Sequence, residues 1–408
     1  MLFLKAIALS ALIIYLCHTW YRRQGLPLPF PWIGLAFLFR YLMGMAYGYI
    51  FLHYYGGDDT WVYNQESHAE YLKLLKDPLL FINDLSPARL FTAQHLLPTV
   101  ASYLNDLEFW MITKPLALVH FYTDGNYYLN VLFFNGVSFW GCLLLYRSLR
   151  EVPRDQRLIF FWLFLFPPLI FWWSGIRSDG LIFLFTALFL TGFQSRLQQK
   201  QARSLLKIAI GLAGILILRS PLLLLWIPVV ICWLIHHHHT KYVSRTIALV
   251  YVLSALIFFA SALIDSEHNL PNAVAHRQQA FFALPGKTRF QLDSLNSSPY
   301  QFLKVAPQAM ENTLLRPYLW EAKGALQWLS AIDTLVLWAC FLYFLAMRGY
   351  RQKEVLLHPH LLYPALFGLT LYLFIGYTIP FPGAIVRYKV QAEVFLLIYL
   401  SVKSYKKL

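Results

Sequence analysis

The sequence predicts an all-α fold, a polytopic bundle of about eleven transmembrane helices with in-plane helices in its first outer loop. Of the 408 residues, 58% are apolar and only 13% are charged, whereas a soluble domain carries about a quarter charged residues. The mean hydropathy of +0.51 comes from separate apolar runs of membrane-spanning length. This pattern excludes a soluble enzyme, a disordered chain and a coiled coil. The predicted spans are 2–20, 31–52, 126–146, 158–175, 178–194, 205–219, 221–235, 245–264, 328–347, 360–379 and 385–401.

The distribution of basic residues predicts the orientation of these helices. The net charge is +14, from 34 Lys and Arg against 20 Asp and Glu. Lys and Arg concentrate in every second connecting segment, as expected if those segments face the cytoplasm. The C-terminus is then expected inside and the N-terminus outside. The basic segments are 22–23, 147–157, 196–207, 241–245, 348–353 and 403–407.

Two long segments, 53–125 and 265–327, fall on the outer side of this topology. Outer loops of this length are uncommon unless they are functional. The amphipathic pattern near 66–77 predicts a helix that lies in the membrane plane. No second soluble domain is apparent, so residues 1–408 are expected to form a single integral membrane domain.

Two of the charged residues inside apolar runs, Lys114 and Arg40, need a structural interpretation. Lys114 precedes a proline within 107–122, and we interpret that stretch as a re-entrant or interface-lying helix because a full crossing would disturb the alternation of basic loops. Arg40 lies within the second span, and we expect its side chain to snorkel to the cytoplasmic interface.

The outer end of the second span carries two adjacent acids, Asp58 and Asp59, directly after Gly56 and Gly57. Carboxylates at a membrane surface suit a general base, or they hold a divalent cation such as Mg or Mn through oxygen ligands. Glycines allow a sharp turn and a close approach of a ligand to the backbone. The alternative is an acidic helix end with a glycine turn.

Three further outer turns bring charged residues to the same predicted membrane face. Arginine binds phosphate through its planar fork, and ionisable groups at the membrane boundary are candidates for function. The alternatives are a local ion pair that caps a helix and cations that snorkel outward. The candidate substrate-binding residues are Arg177, Asp179, Arg316, Glu321, Arg387 and Lys389, with Trp61 and Tyr63 as aromatic contacts for a sugar ring.

Several other catalytic classes lack their motifs. The sequence contains no P-loop, glycine-rich dinucleotide motif, HExxH or GxSxG. ATP-driven pumping, hydride transfer and the corresponding hydrolase chemistries therefore have no support.

The motifs resemble those of the GT-C superfamily of polytopic glycosyltransferases, which includes the dolichyl-phosphate-mannose protein mannosyltransferases and their bacterial relatives. Members carry an essential acid or acid pair in the first long outer loop, a position that Asp58 and Asp59 match. The run from Pro167 to Leu181, and the turns around Arg316 and Arg387, are similar to those of bacterial members. The resemblance implies a polyprenyl-phosphate sugar as donor.

The expected function is therefore an inverting membrane glycosyltransferase of a bacterial inner membrane, with its active site facing the periplasm. Asp58 or Asp59 would act as general base, and a glycan, lipid or protein would be the acceptor. One alternative is a polymerase or ligase of surface glycans that uses lipid-linked saccharides. Another is a lipid or sugar transporter without covalent chemistry, which predicts charged groups near mid-membrane and two similar halves.

Overall fold

Every regular element in the described part of the chain is a helix. The computed structural model describes residues 1–24, 28–91, 96–150, 152, 154–199, 201–265, 269–285, 288–347 and 351–401. The predicted basic residues Lys200, Arg348 and those of 403–407 lie outside these ranges. The helices are α1 Leu2–Arg23, α2 Phe30–Tyr55, α3 Asp59–Lys76, α4 Pro78–Asn83, α5 Ala88–Phe91, α6 Leu96–Thr123, α7 Tyr127–Ser148, α8 Gln156–Phe164, α9 Pro167–Ser174, α10 Ser178–Gln199, α11 Ala202–Arg219, α12 Pro221–His238, α13 Val243–Ile264, α14 Leu270–Ala283, α15 Pro299–Leu314, α16 Ala325–Ala346, α17 Lys353–Leu356, α18 Pro359–Thr378 and α19 Pro382–Leu400. A short 3₁₀ helix, Leu319–Glu321, precedes α16.

Nine helical spans within the described ranges are long and apolar enough to cross a membrane, with α8 and α9 together forming one of them. Each coincides with a predicted span. The other two predicted spans, 205–219 and 385–401, form the helices α11 and α19, but each helix contains three charged residues. The number of crossings therefore stays a prediction, whereas the character of an integral membrane protein is supported by the nine apolar helices.

The chain divides into two compact units. The first comprises Met1–Leu149 and Leu163–Leu223, and the second comprises Arg150–Trp162 and Leu224–Leu408. In the first unit, α7 contacts α1, α2, α6, α9 and α10, and α3 packs on α6. In the second unit, α19 packs between α18 and α16, and α15 packs on α18. A single membrane domain over 1–408 stays a prediction.

Arg40 does not snorkel to an interface, which corrects the expectation from the sequence. Its helix begins ten residues earlier, at Phe30, and the side chain is 1% exposed. The guanidinium donates hydrogen bonds to Asn135 Oδ1 at 2.9 Å, Ser138 Oγ at 2.9 Å and the carbonyl oxygen of Trp173 at 3.0 Å. The sequence pattern missed these partners because they come from α7 and α9, about 95 to 133 residues away along the chain.

The stretch 107–122 belongs to α6, which runs without interruption from Leu96 to Thr123. A turn back within this helix is excluded, which corrects the re-entrant interpretation, and the interface-lying alternative stays a prediction. Lys114 is buried, and its ammonium group contacts Glu70 at 2.7 Å and Asp84 at 3.1 Å. The charge that made this stretch ambiguous is therefore balanced by acids of the segment that packs on α6.

Candidate functional site

The predicted glycine turn joins α2 to α3 and positions the acid pair. Gly56 and Gly57 have φ angles of 75° and 106°, which side chains with a Cβ rarely adopt. Asp58 then caps α3, since its Oδ1 accepts the backbone N–H of Thr60 at 3.0 Å. A carboxylate at this position satisfies an unpaired helix donor and interacts favourably with the helix dipole. Asp59 is the first residue of α3.

Arg177 reaches this turn from the short connection between α9 and α10. The connection packs closely on α2, because a Cβ at Gly175 would lie 2.8 Å from the ring of Tyr47. The backbone N–H of Ile176 donates to Thr60 Oγ1 at 2.9 Å. These two contacts hold the residue before Arg177 against both α2 and α3.

The guanidinium of Arg177 bridges the two acids. Its Nη1 contacts Asp58 Oδ2 at 2.5 Å, and its Nη2 contacts Asp59 Oδ2. Tyr47 donates its hydroxyl to the same Asp58 oxygen at 2.9 Å. Asp58 is enclosed, with 14% of its side chain exposed, whereas Asp59 is 64% exposed.

The third acid of the site, Asp179, joins a second arginine to the cluster. Asp179 lies in the first turn of α10, 3.9 Å from Arg177 Nε and 3.4 Å from Arg219 Nη1. The cluster thus combines three carboxylates with two guanidinium groups. The sequence analysis did not include Arg219 among the candidate site residues. The predicted topology places the turn between 205–219 and 221–235 on the outer side, and this position could have identified Arg219 as a candidate.

An aromatic ladder along α2 leads to the acids. The rings of Tyr47 and Phe51 stack at 4.4 Å between centroids, and those of Phe51 and Tyr55 stack at 5.2 Å. Trp172 lies against Tyr47 and Phe51 with its ring edge-on. Tyr55 is 57% exposed and Tyr47 is fully buried. The ladder therefore extends from the protein surface to the hydroxyl that contacts Asp58.

The two predicted sugar-stacking residues lie on α3 and have ring partners. Trp61 stacks on Tyr127 at 3.9 Å and donates its indole N–H to the carbonyl oxygen of Gly48 at 3.0 Å. The ring centres of Tyr63 and Phe109 lie 5.5 Å apart. Tyr127 therefore covers one face of the Trp61 ring, and the ring of Tyr128 lies edge-on to it at 6.4 Å between centroids.

The acid pair does not fit a divalent cation. Both oxygens of Asp58 already accept hydrogen bonds, and the positive charge between the two carboxylates is supplied by Arg177. Among the described residues, no group of three His, Cys, Asp or Glu side chains forms a metal-binding arrangement. No catalytic step is therefore assigned to Mg or Mn.

In the second unit, Arg316 is engaged by Glu321. Nε of Arg316 lies 3.1 and 3.2 Å from the two carboxylate oxygens of Glu321, and Nη2 contacts the same carboxylate. The guanidinium also lies 4.4 Å from the ring centre of Phe290. Burial raises the pKa of Glu321, but hydrogen bonds from Arg316 and from the backbone N–H of Tyr318 outweigh this effect and leave it below its ordinary value. Both residues are partly exposed.

Arg387 and Lys389 lie in the first half of α19 but differ in their surroundings. Arg387 is half-buried, with its guanidinium 5.3 Å from the ring centre of Tyr388. Lys389 is fully enclosed, and its ammonium group faces Asp333 at 3.4 Å and Glu393 at 3.9 Å. This burial gives no support for a phosphate contact by Lys389. Asp333 and Glu393 were also missed, although single acids inside the apolar runs 328–347 and 385–401 were a signal.

Two cavities in the described part of the chain lie away from these charged residues. One, of about 400 Å³, is lined by residues of α1, α7 and α10, and another, of about 370 Å³, is lined by residues of α15, α16, α18 and α19. Both linings are almost entirely apolar and include none of the predicted site residues. They offer room for hydrocarbon but no group for catalysis.

No family model matches this chain, and no curated protein or solved structure matches it. The chemistry of the site is therefore inferred from its own geometry.

Proposed function

We propose that this chain is an integral membrane glycosyltransferase of the GT-C type that its motifs resemble, acting on a polyprenyl-phosphate sugar. The observation that carries the proposal is the bridge formed by Asp58, Arg177 and Asp59. One buried guanidinium contacts one enclosed and one accessible carboxylate, and this combination supplies a phosphate-binding cation beside a base that solvent and substrate can reach.

Asp59 is the better general base of the two acids. Asp58 already accepts three hydrogen bonds, from Tyr47, Arg177 and the Thr60 backbone. Its carboxylate oxygens are therefore engaged inside the protein and are poorly placed to accept a proton from a substrate. Asp59 projects into solvent. In the proposed reaction it takes the proton of the acceptor hydroxyl while that oxygen forms a bond to the anomeric carbon. The bond from this carbon to the phosphate oxygen breaks, the configuration inverts, and polyprenyl phosphate leaves.

Arg177 stabilises the charge that develops on the leaving phosphate. Its ion pair with Asp59 is the exposed one, so a phosphate can replace this carboxylate on the guanidinium without disturbing Asp58. That exchange would release Asp59 for catalysis only when donor is bound. Asp179 holds both Arg177 and Arg219 at the same site and acts as a positioning residue.

The aromatic side chains account for the rest of the substrate. The outer part of the ladder, Phe51 and Tyr55, and the ring of Trp61 are proposed to provide apolar and stacking contacts for a sugar or an isoprenoid chain. Tyr63, Arg316, Glu321 and Arg387 stay candidate substrate contacts. The acceptor is a glycan, a lipid or a protein, and the proposed location is a bacterial inner membrane with this site facing the periplasm.

The test is sugar transfer by the purified chain in nanodiscs, using a panel of polyprenyl-phosphate hexoses with radiolabelled sugars. Asp59→Asn should lower kcat by about 10²- to 10⁴-fold, the range expected for loss of a general base, with little change in donor binding. Glu66→Gln removes another exposed acid of α3 and serves as the matched control. Full activity of Asp59→Asn would exclude Asp59 as the base.

A transporter is the second candidate, and one observation favours it. The buried cluster of Lys389, Asp333 and Glu393 lies well inside α16 and α19 rather than at their ends, and charged groups in the interior of spanning helices are typical of transporters. Flux of a labelled lipid-linked sugar across proteoliposomes, in the absence of an acceptor and without cleavage, would favour this reading. A surface-glycan polymerase or ligase differs from the proposed enzyme in requiring a lipid-linked saccharide as donor, which the same donor panel can include.

A further inference from the structure

The second unit encloses a charged cluster that the proposed reaction does not use. Asp333 on α16 and Lys389 and Glu393 on α19 are each at most 1% exposed. The ammonium group of Lys389 lies 3.4 Å from Asp333 and 3.9 Å from Glu393, and it donates a hydrogen bond to Thr334 Oγ1 at 3.2 Å. The two acids also lie close enough to interact with each other.

The charges in this cluster do not balance. Two ionised carboxylates and one ammonium group leave one net negative charge away from water, and an uncompensated buried charge is strongly unfavourable. One additional positive charge removes the imbalance. A proton can supply it without a coordination shell, whereas a metal ion needs several oxygen ligands, and among the described residues no group of three or more His, Cys, Asp or Glu side chains is arranged to hold one.

The hydrogen-bond pattern points to the same ligand. Among the described residues, none donates a hydrogen bond to any of the four carboxylate oxygens of Asp333 and Glu393. Buried acceptors are nearly always satisfied, and a proton on one carboxyl allows it to donate to the other. The hydroxyls of Tyr372 and Ser330, both buried, likewise lack hydrogen-bond partners in the described structure, and Tyr372 is close enough to interact with both acids.

Neighbouring charged groups do not supply the missing positive charge. On α15, which also contacts α19, Lys304 is exposed and pairs with Asp293 at 3.8 Å, and Glu311 is exposed. The 3₁₀ helix next to α16 carries Glu321, which is engaged by Arg316. These groups have partners or solvent outside the buried cluster.

We propose that Asp333, Glu393 and Lys389 form a buried proton-binding site, in which the two carboxyls share one proton and Lys389 stays charged. The bound proton comes from water, and its hydrogen bond runs from the protonated carboxyl to the ionised one. The site is then neutral as a whole.

Infrared spectroscopy of the intact chain in nanodiscs tests this proposal. At pH 7 we expect a band from a protonated carboxylic acid that shifts on ¹³C-labelling of Asp or Glu. Asp333→Asn and Glu393→Gln should each abolish the band, because one ionised carboxylate then balances Lys389. Both variants should fold, since each leaves the cluster neutral. Glu354→Gln, an exposed acid on α17, is the matched control and should retain the band.

Three results would overturn the proposal. The first is absence of the band in the wild-type chain at pH 7, and the second is its persistence in both single variants. The third is a rise in thermal unfolding temperature on replacing K⁺ by Na⁺ that is lost in Glu393→Gln, because a metal cation would then supply the charge.

Discussion

The two units each contain a cluster in which acids outnumber bases by one, but the clusters are built differently. In the first unit, the carboxylate of Asp58 is saturated with hydrogen bonds while Asp59 reaches solvent. In the second unit, Asp333 and Glu393 are fully enclosed and accept no hydrogen bonds from described residues. The same charge imbalance is therefore solvated in one unit and shut away from water in the other.

This difference in exposure determines whether a cluster can exchange an anionic ligand or only a proton. An exposed carboxylate on a buried guanidinium can be replaced by an anionic ligand, because water stabilises the displaced acid. An enclosed pair of carboxylates can exchange only something small enough to cross a packed interior, such as a proton. Substitutions in the two clusters can distinguish these cases.

Removal of the bridging cation should have the largest effect. Arg177→Met leaves Asp58 and Asp179 buried without their shared guanidinium, and loss of one partner of a buried ion pair typically costs about 3–5 kcal/mol. The free energy of unfolding in detergent measures the effect. Asp59→Asn is the comparison, because an exposed ion pair contributes about 0–1 kcal/mol. Equal effects of the two substitutions would contradict the difference in exposure.

Removal of the enclosed cation should give a stability that depends on pH. Lys389→Met leaves Asp333 and Glu393 without a base, so ionisation of either one becomes unfavourable in the folded state. We expect the variant to be close to wild type at pH 5 and to lose stability as the pH rises towards 8, because protons neutralise the acids only at low pH. Thermal unfolding at both pH values measures this. A loss that is independent of pH would indicate a packing defect instead.

A methyl group added at Gly175, where the chain before Arg177 packs against Tyr47, should have a moderate effect on the free energy of unfolding. Gly175→Ala introduces a Cβ 2.8 Å from the Tyr47 ring, and overpacking of this kind costs about 1–3 kcal/mol. Because Tyr47 also contacts Asp58 and Arg177, transfer activity should fall with stability. Gly383→Ala is the matched control, since no atom lies within 4 Å of its added Cβ. Similar effects at both glycines would show that this packing contact is unimportant.

The partly exposed ion pair of the second unit, Arg316 with Glu321, should have the smallest effect. The pKa of Glu321 is lower in the folded chain than its ordinary value, so the pair with Arg316 stabilises the fold above the unfolded pKa and loses this contribution as the pH falls through the folded pKa. The change should be under about 1 kcal/mol. Unfolding of wild type and Glu321→Gln at pH 7 and pH 3 measures it, and the two proteins should converge at pH 3.

Much of the fold was predictable because apolar length is a local property of the chain. The nine apolar spans, the glycine turn before Asp58 and the helix over residues 66–76 of α3 all follow from composition and short-range pattern. Local hydropathy does not decide whether helices α11 and α19 cross the membrane. Their charged residues lower the local hydropathy, and only tertiary packing decides whether Lys389 meets an acid or water.

The candidate site was predictable in part for the same reason. Asp58, Asp59, Arg177 and Asp179 come together in the first unit. The sequence pattern did not distinguish Asp58 from Asp59. Their difference depends on Tyr47 and Thr60, which enclose only one of them. Arg40 was misjudged because the donors and acceptors that make its burial tolerable lie on other helices.

The helical character of this chain, its apolar spans and its few charged turns can be derived from the amino-acid order, because hydrophobicity and turn chemistry act over a few residues. Which charges meet, and which of them water can reach, depends on how the helices pack. Ion pairing depends on distances between segments that are far apart in the chain, such as Asp58 and Arg177, which are 119 residues apart, and burial depends on how neighbouring helices pack. For this protein those two quantities separate an accessible acid from an enclosed one, and with them the two proposed chemistries.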